Sequence, residues 1–296
     1  MAEPRIAITG GTGFVGRNLA ERFEGPVIVS RRTGVPVDDV EALARVFAGC
    51  DAVAHCAGIN REIGDQTYER VHVRGTAAVI EAAKRAGVKK IVMLSFLRAR
   101  PGSGSPYHES KWEAEEMIRA SGVDYTILKA GMIYGLGDHL IDHTTRTVRT
   151  LPLFATVGLK EKTVRPVPVE ELVDVMEAAL RGRLERKTVE VVGAEELKLS
   201  RVVRRVADVQ GRPIGILPAP VWALTALGQL TEWTMQVPLV AKAQVRMLAE
   251  GVSHAAPYAE KLPEDLLPRK MLTREQILAA TPEAGRFGFS DLRWAK

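Results

Sequence analysis

Through the first 130 residues, short runs of β-branched and other apolar residues alternate with longer amphipathic stretches. The runs Arg5–Thr9, Pro26–Ser30, Asp51–Cys56, Lys90–Ser95 and Tyr125–Lys129 predict strands. Several are apolar almost throughout, as in strands covered on both faces of a parallel sheet. Helices are predicted near Gly13–Phe23, Val40–Ala48, Thr67–Ala86 and Pro106–Ala120, the last two with apolar residues at mixed three and four spacings. Strand–helix alternation on this scale builds right-handed βαβ units, hence an α/β chain with a Rossmann-type doubly wound parallel sheet. Such sheets bind ligands beyond the carboxyl ends of their strands.

The rhythm changes after about residue 135. Leu151–Thr163 reads as loop and short helix, Arg165–Arg181 as a strand entering a helix, and Thr188–Val192 as a late strand. Leu199–Gln210 is helical, and a further helix is predicted near Arg274–Ala280. Between them, Pro213–Ala241 holds one charged residue, Glu232, in 29, and its prolines leave one apolar helix near Val221–Gln236 with Trp222 and Trp233. Such a helix packs into core or a dimer interface, or lines a pocket or patch for a quinone- or lipid-like molecule or a membrane. Its own lack of a basic face argues against the membrane. The expected division is a dinucleotide domain over 1–195, with 136–165 contributing to a substrate cleft, and a smaller C-terminal substrate or lid domain over 196–296.

Composition narrows the field. With 46% hydrophobic and 26% charged residues among 296, the chain has material for a packed core. The net charge of +5 is spread without a basic block and aromatics are 5%, so no nucleic-acid partner is expected. The two cysteines, Cys50 and Cys56, fit neither a disulfide framework nor a metal spacing, so no metal is expected. No signal-peptide layout and no run of 18 apolar residues is present, and the expected compartment is cytoplasmic.

The sharpest motif is Gly10-Gly11-Thr12-Gly13-Phe14-Val15-Gly16, directly after the first strand. Gly10 permits a tight turn, Gly13 lets backbone approach a pyrophosphate and Gly16 lets helix and strand pack closely. The following helix offers open N–H groups to the phosphates. About twenty residues on, where a carboxylate would select NAD, the sequence reads Ser30-Arg31-Arg32. A hydroxyl and two guanidiniums suit a 2′-phosphate, so NADP is expected, with NAD as the alternative and two solvated arginines as the bland reading. Asp38, after a possible strand Val35–Val37, faces an adenine edge or caps the helix near Val40. Ala57-Gly58 follows the Asp51–Cys56 strand, where small residues let a cofactor lie against backbone.

Farther along, Ser105 and Pro106 suit the start of a helix that carries Tyr107 and Lys111 one turn apart. A cation beside a phenol, with a positive nicotinamide, would draw its pKa down from about 10 and make it a usable proton donor or acceptor.

Taken in order, the glycine turn, Ala57-Gly58, Ser105-Pro106-Tyr107 through Lys111 and Ala130-Gly131-Met132-Ile133-Tyr134-Gly135 resemble the extended or atypical short-chain dehydrogenase/reductases, over roughly residues 4–210. The branch most resembled holds the nucleotide-binding accessory subunit of respiratory complex I and its bacterial relatives. The resemblance implies that Tyr107 is the acid/base and that Lys111 holds the nicotinamide ribose. It implies a hydroxyl ending the Lys90–Ser95 strand to orient the substrate carbonyl, Ser95, unless that position falls at Phe96 or Leu97. Ala130, Met132 and Ile133 would line the cofactor. Two positions depart from the pattern: His72 stands where many relatives have Asn, relaying protons or packing beneath the cofactor, and Lys129-Ala130 replaces Arg-Pro. The reading is an NADP(H) oxidoreductase moving hydride to or from the carbonyl or alcohol of an apolar small molecule. Its rivals are a non-catalytic accessory or sensor protein of a larger assembly, at a membrane periphery or in a complex, and a nucleotide-sugar epimerase or dehydratase.

Overall fold

The computed structural model describes residues 3–235, 238–256, 259–283, 285–288 and 291–292, so Gln236, the expected end of the apolar helix, lies outside the described residues. In chain order the elements are β1 (Ile6–Thr9), α1 (Phe14–Ala20), β2 (Val27–Val29), α2 (Val40–Phe47), β3 (Ala52–His55), α3 (Gly75–Ala86), β4 (Lys90–Phe96), α4 (Pro106–Ala120) and β5 (Asp124–Ala130). They continue as β6 (Ile133–Tyr134), α5 (Leu140–Thr150), β7 (Leu153–Val157), β8 (Thr163–Val164), β9 (Val167–Pro168), α6 (Val169–Leu180) and β10 (Lys187–Val191). The last are β11 (Leu197–Lys198), α7 (Leu199–Val209), β12 (Gly215–Ala219), α8 (Val221–Thr234), α9 (Lys242–Glu250) and α10 (Arg274–Ala280).

These elements fall into two units that interleave along the chain. The first comprises Met1–Ala130, Val169–Val191 and Ala255–Leu267. Its sheet runs β10-β5-β4-β3-β1-β2 with every neighbouring pair parallel. Ala7, Val53, Ile91 and Ile127 come from four adjacent strands and meet Phe47, Val79 and Ile118 from the helices in one buried cluster. Each such large apolar side chain contributes about 1.5–3 kcal/mol on burial. Helices α2, α3 and α4 pack in succession, while α1 packs on α6. The Asp39 carboxylate accepts the Ala42 N–H and starts α2, and α3 stops where Gly87 turns left-handed. The chain reaches β2 on one side of β1 and then crosses to β3 on the other, which puts the topological switch point between β1 and β3.

The second unit comprises Gly131–Pro168, Val192–His254 and Pro268–Lys296. It holds three two-stranded ladders, β6/β9 and β7/β12 parallel and β8/β11 antiparallel, with α5 on α7, α7 on α10 and α8 on α9. This division differs from a single boundary at 195, because Gly131–Pro168 falls in the second unit and Ala255–Leu267 in the first; α6 and β10 lie in the first as expected, with β10 paired to β5. Leu151–Thr163 contains the strand β7 rather than a helix, and its partner β12 was not foreseen. Val35–Val37 is not a strand: both valines pack sideways on the core, and Val37 closes against Gly75. Among the described residues no helix is long and apolar enough to cross a membrane.

Candidate active site

β1 ends at Thr9 and the chain turns sharply at Gly10, whose N–H donates to Val29 O at 2.8 Å. Gly10 has φ +69°, and a Cβ there would stand 2.7 Å from Ala57 N, so both conformation and space demand glycine. Cys56 N–H donates to Thr9 O at 3.0 Å, which seats the Ala57-Gly58 segment beside the turn at the switch point. Gly13 precedes α1, whose first-turn N–H groups have no acceptor further back in the helix. Gly11, Thr12, Phe14, Val15 and Gly16 complete this backbone cradle. A cleft of about 600 Å³ extends from Gly10, Thr12 and Gly13 past the end of β2 to Gly58 and Ile59. A dinucleotide fits such a donor set of open backbone N–H groups and glycine edges.

At the far end of that cleft, Ser30 to Thr33 form a capped turn: Ser30 Oγ accepts from Thr33 N, and Thr33 Oγ1 accepts from Ser30 N. The Ser30 hydroxyl hydrogen is still available to donate. Arg31 and Arg32 are exposed and line the cleft, and among the described residues neither has an ion-pair partner. Asp38 also lines it, with Oδ2 accepting from Arg70 Nε at 2.8 Å. The capping alternative for Asp38 falls to its neighbour, since Asp39 holds the end of α2. Arg70 in turn grips Asp65, which fastens the 60–67 loop along the cleft.

The Tyr107 end is built differently. α4 starts at Ser105 by position, yet the Ser105 hydroxyl pairs with the His108 ring at 2.7 Å rather than with backbone. Tyr107 is buried among Tyr68, His72, Phe96 and His108, with ring centroids 5.2–5.9 Å away. Burial pushes its phenol above the ordinary value, opposite to the expected effect of Lys111. Lys111 is buried one turn on, its Nζ donating to Leu94 O at 3.4 Å. A Cβ on Gly58 would meet that Nζ at 2.9 Å, so the ammonium occupies the space a side chain would fill. Burial draws Lys111 down to about 8, against the opposing pull of Glu115 and Cys56.

His72 sits in a π-helical turn, Glu69–Arg74, that leads into α3. Ile59 N–H donates to its Nε2 at 3.1 Å, which assigns the proton to Nδ1 and directs it to Ser110 Oγ at 2.9 Å. Ser110 then donates to Tyr107 O at 3.1 Å. This chain of bonds ends on a backbone carbonyl, so it holds the Ala57–Ile59 segment to α4 and carries no proton to the phenol. Beneath it, Thr76 Oγ1 donates to the His72 carbonyl and therefore accepts from His55 Nε2 at 3.0 Å. His55 Nδ1 then accepts from Thr9 Oγ1 at 2.7 Å. Burial holds both imidazoles neutral, His55 down to about 3 and His72 to about 2.

Ser95 does not reach this cluster. Its buried hydroxyl donates to Glu115 Oε1 at 2.5 Å, two turns and about 12 Å along α4 from Tyr107. Glu115 is fully buried, bonded to Lys129 Nζ at 2.7 and 2.9 Å and to Arg119 at 2.8 Å. At the next two positions stand Phe96 and Leu97, and it is Phe96 that packs on Tyr107. Ala130 ends β5 in the first unit, whereas Met132 and Ile133 belong to the second. The sequence reading missed Tyr68, Arg70, Ser110 and the Thr9–His55–Thr76 group. Only the helical phase of Ser110 beside Tyr107 and Lys111 offered a signal. Cys50 is buried and Cys56 lines the cleft, and no metal-binding group occurs among the described residues.

A glycine turn after β1, a cleft at the switch point and cationic side chains past β2 define a Rossmann protein that binds NAD(P). Comparison with known proteins agrees, since residues 30–150 match the family model described as NAD(P)H-binding. The ceramide reductase of Caulobacter vibrioides is 28% identical over 285 residues, covering 87% of this chain and 89% of that protein. The photosystem II assembly factor Ycf39 of a Synechocystis species is 26% identical over 257 residues, 78% of this chain and 76% of that one. Among solved structures, dTDP-4-dehydrorhamnose reductase from Bacillus anthracis in complex with NADP has a TM-score of 0.62 at 16% identity. The match covers 75% of this chain and 86% of that one and shows the shared fold. The chain is thus an NAD(P)-binding protein of Rossmann fold, similar over most of its length to the ceramide reductase and to Ycf39 and sharing its fold with dTDP-4-dehydrorhamnose reductase.

Proposed function

We propose that this chain is an NADPH-dependent reductase of an apolar, lipid-like carbonyl compound in the cytoplasm. The observation that carries the reading is the Tyr107–Lys111 pair, with the Lys111 ammonium lodged against Gly58, a residue that lines the cleft. Gly10 through Gly16, Ala57 and Gly58 would take the pyrophosphate and nicotinamide half. Ser30, Arg31 and Arg32 would take the 2′-phosphate, and Asp38 the adenine edge. Bound NADPH supplies hydride to the carbonyl carbon. Tyr107 gives its phenolic proton to the carbonyl oxygen, which leaves an alcohol, and the tyrosinate regains a proton from solvent. Lys111 stabilises that anion and orients the ribose, at a pKa that keeps it mostly charged near neutrality. The rings of Tyr68 and Phe96 favour an apolar substrate beside Tyr107. So does the likeness to a ceramide reductase over most of both chains. A long-chain keto-ceramide is the first compound to assay, following NADPH consumption with Tyr107→Phe as control. Turnover that requires Tyr107 supports the reading.

One observation favours a second reading, a cofactor-binding accessory protein without turnover. The expected carbonyl-orienting hydroxyl of Ser95 is engaged by Glu115, and a phenyl ring packs on Tyr107 instead. Tight NADPH binding with no turnover of long-chain ketones would select it. Retention of NAD through purification with turnover of a nucleotide sugar would select an epimerase or dehydratase.

A further inference from the structure

Helix α8 reverses the usual arrangement of a surface helix. Leu224, Gly228 and Thr231 are buried, while Trp222 is 75% exposed, Trp233 66% and Leu230 55%. Trp222 and Trp233 lie eleven residues apart, close to three full turns, so both indoles stand on one line of the helix with Ala226 and Leu230 beside it. The polar groups of α8 are bonded back into the protein and leave that line apolar. Thr225 donates to Val221 O and Thr234 to Leu230 O, and Gln229 Oε1 accepts from Lys242 Nζ. Glu232, the one charge on the helix, accepts the Lys242 N–H at the start of α9, where the positive end of the helix dipole offsets it.

Charge is divided unequally between the two units. The segments of the second unit hold 18 Lys and Arg against 11 Asp and Glu, and those of the first hold 23 against 25. The whole positive excess of the chain therefore belongs to the unit that bears α8. From these two observations we infer that the Trp222–Trp233 face of α8 docks on an anionic lipid bilayer. Indoles are suited to the headgroup boundary, where an apolar body meets water. The basic excess that α8 lacks on its own surface is supplied by the unit as a whole; on the helix packed against it Lys242 carries a cation, while Arg246 is paired with Glu250 at 3.0 Å. A second copy of the chain is the weaker occupant, because pairing the faces would bring two net-positive units together. The inference is independent of what the cleft reduces.

Flotation of the full-length chain with vesicles tests it, comparing phosphatidylcholine alone with phosphatidylcholine mixed with phosphatidylglycerol. The wild type is expected to float with the mixed vesicles and to be released tenfold or more by high salt. Trp222→Ser combined with Trp233→Ser is expected to weaken binding at least tenfold while leaving NADPH affinity and the melting temperature in place, since both indoles are exposed. Absence of binding, equal binding to neutral vesicles, or binding unaffected by the double substitution overturns the proposal. A wild-type dimer in sedimentation that the double variant dissolves would give the face to a second copy instead.

Discussion

The two ends of the candidate site are made of different material. At the glycine-turn end the working parts are backbone N–H groups, positions without a Cβ, and two exposed guanidiniums with no ion-pair partner among the described residues. At the Tyr107 end they are buried side chains already bonded or stacked among themselves: His72 on Ile59 and Ser110, and Tyr107 within four rings. Open backbone and unpaired charge recognise a phosphate-bearing ligand of any detailed shape. Closely packed rings bury one phenol and raise its pKa by desolvation. The first end defines the class of ligand, and the second defines which reaction, if any, follows.

Substitutions should separate these roles. The largest effect is expected from Tyr107→Phe, which removes the proton donor and keeps the ring. General acid catalysis is worth about 10²–10⁴-fold, so kcat should fall by that range while NADPH affinity is preserved. A matching loss of NADPH binding would show that the two ends are not separable. Next is Arg31→Ala with Arg32→Ala. Charge-assisted hydrogen bonds contribute about 1.5–3 kcal/mol, so the preference for NADPH over NADH should drop about ten- to hundredfold, with NADH affinity unchanged. An equal loss for both cofactors, seen by calorimetry, would remove the 2′-phosphate role from the pair.

Much of the first end was legible because its chemistry is local. The strand, glycine turn and helix lie within fifteen residues, and Arg31 and Arg32 directly follow β2. What escaped was brought together by folding. Thr9, His55 and Thr76 are separated by 46 and 21 positions and meet only because β1, β3 and α3 adjoin. Glu115 and Lys129 stand fourteen positions apart and pair only because α4 and β5 bury both. Ser95 was assigned by analogy to a motif, but the direction of its hydroxyl depends on Glu115, which no motif includes. In the second unit, α5 carries four threonines, poor helix formers, and is held by its buried face of Ile141, Thr144, Thr145 and Val148. β12 contains Gly215 and Pro218, both signals against a strand, and forms through pairing with β7.

The buried imidazoles make a prediction about acid stability. Both stay neutral in the folded protein to well below their ordinary value, whereas the unfolded chain takes up protons near pH 6.5. The unfolded state therefore binds more protons as pH falls, and stability is full above pH about 6.5 and declines below it. Each imidazole should contribute about 1.4 kcal/mol per pH unit between roughly pH 6 and 5, while the buried Asp138 carboxyl, raised to about 6 by desolvation, takes up its proton in the folded state over the same window and offsets about one imidazole's share. Denaturant midpoints across that window check it. His55→Asn should lower the plateau stability and flatten the slope, and an unchanged slope would mean that His55 is not held neutral.

The smallest expected effect concerns Lys111, where the two ends of the site come closest. Its ammonium is drawn down to about 8 by burial, facing Glu115 along α4, Cys56 at the end of β3 and the neutral His72. At pH 8 about half of it is uncharged in the free protein. An anionic dinucleotide favours the charged form and raises the pKa, so binding NADPH at pH 8 should take up as much as about half a proton. At pH 6.5 Lys111 is already charged and adds nothing. The cofactor's own phosphate titrates near pH 6, which makes pH 8 the clean condition. Calorimetric titration in two buffers of different ionisation enthalpy counts the protons. Lys111→Arg, charged throughout this range, should bind NADPH with no uptake at pH 8. The same proton count in wild type and variant would mean that the group responding to the cofactor is not Lys111. The ammonium over Gly58 would then be a packing element of the Tyr107 end, with no electrostatic link to the phosphate-binding end.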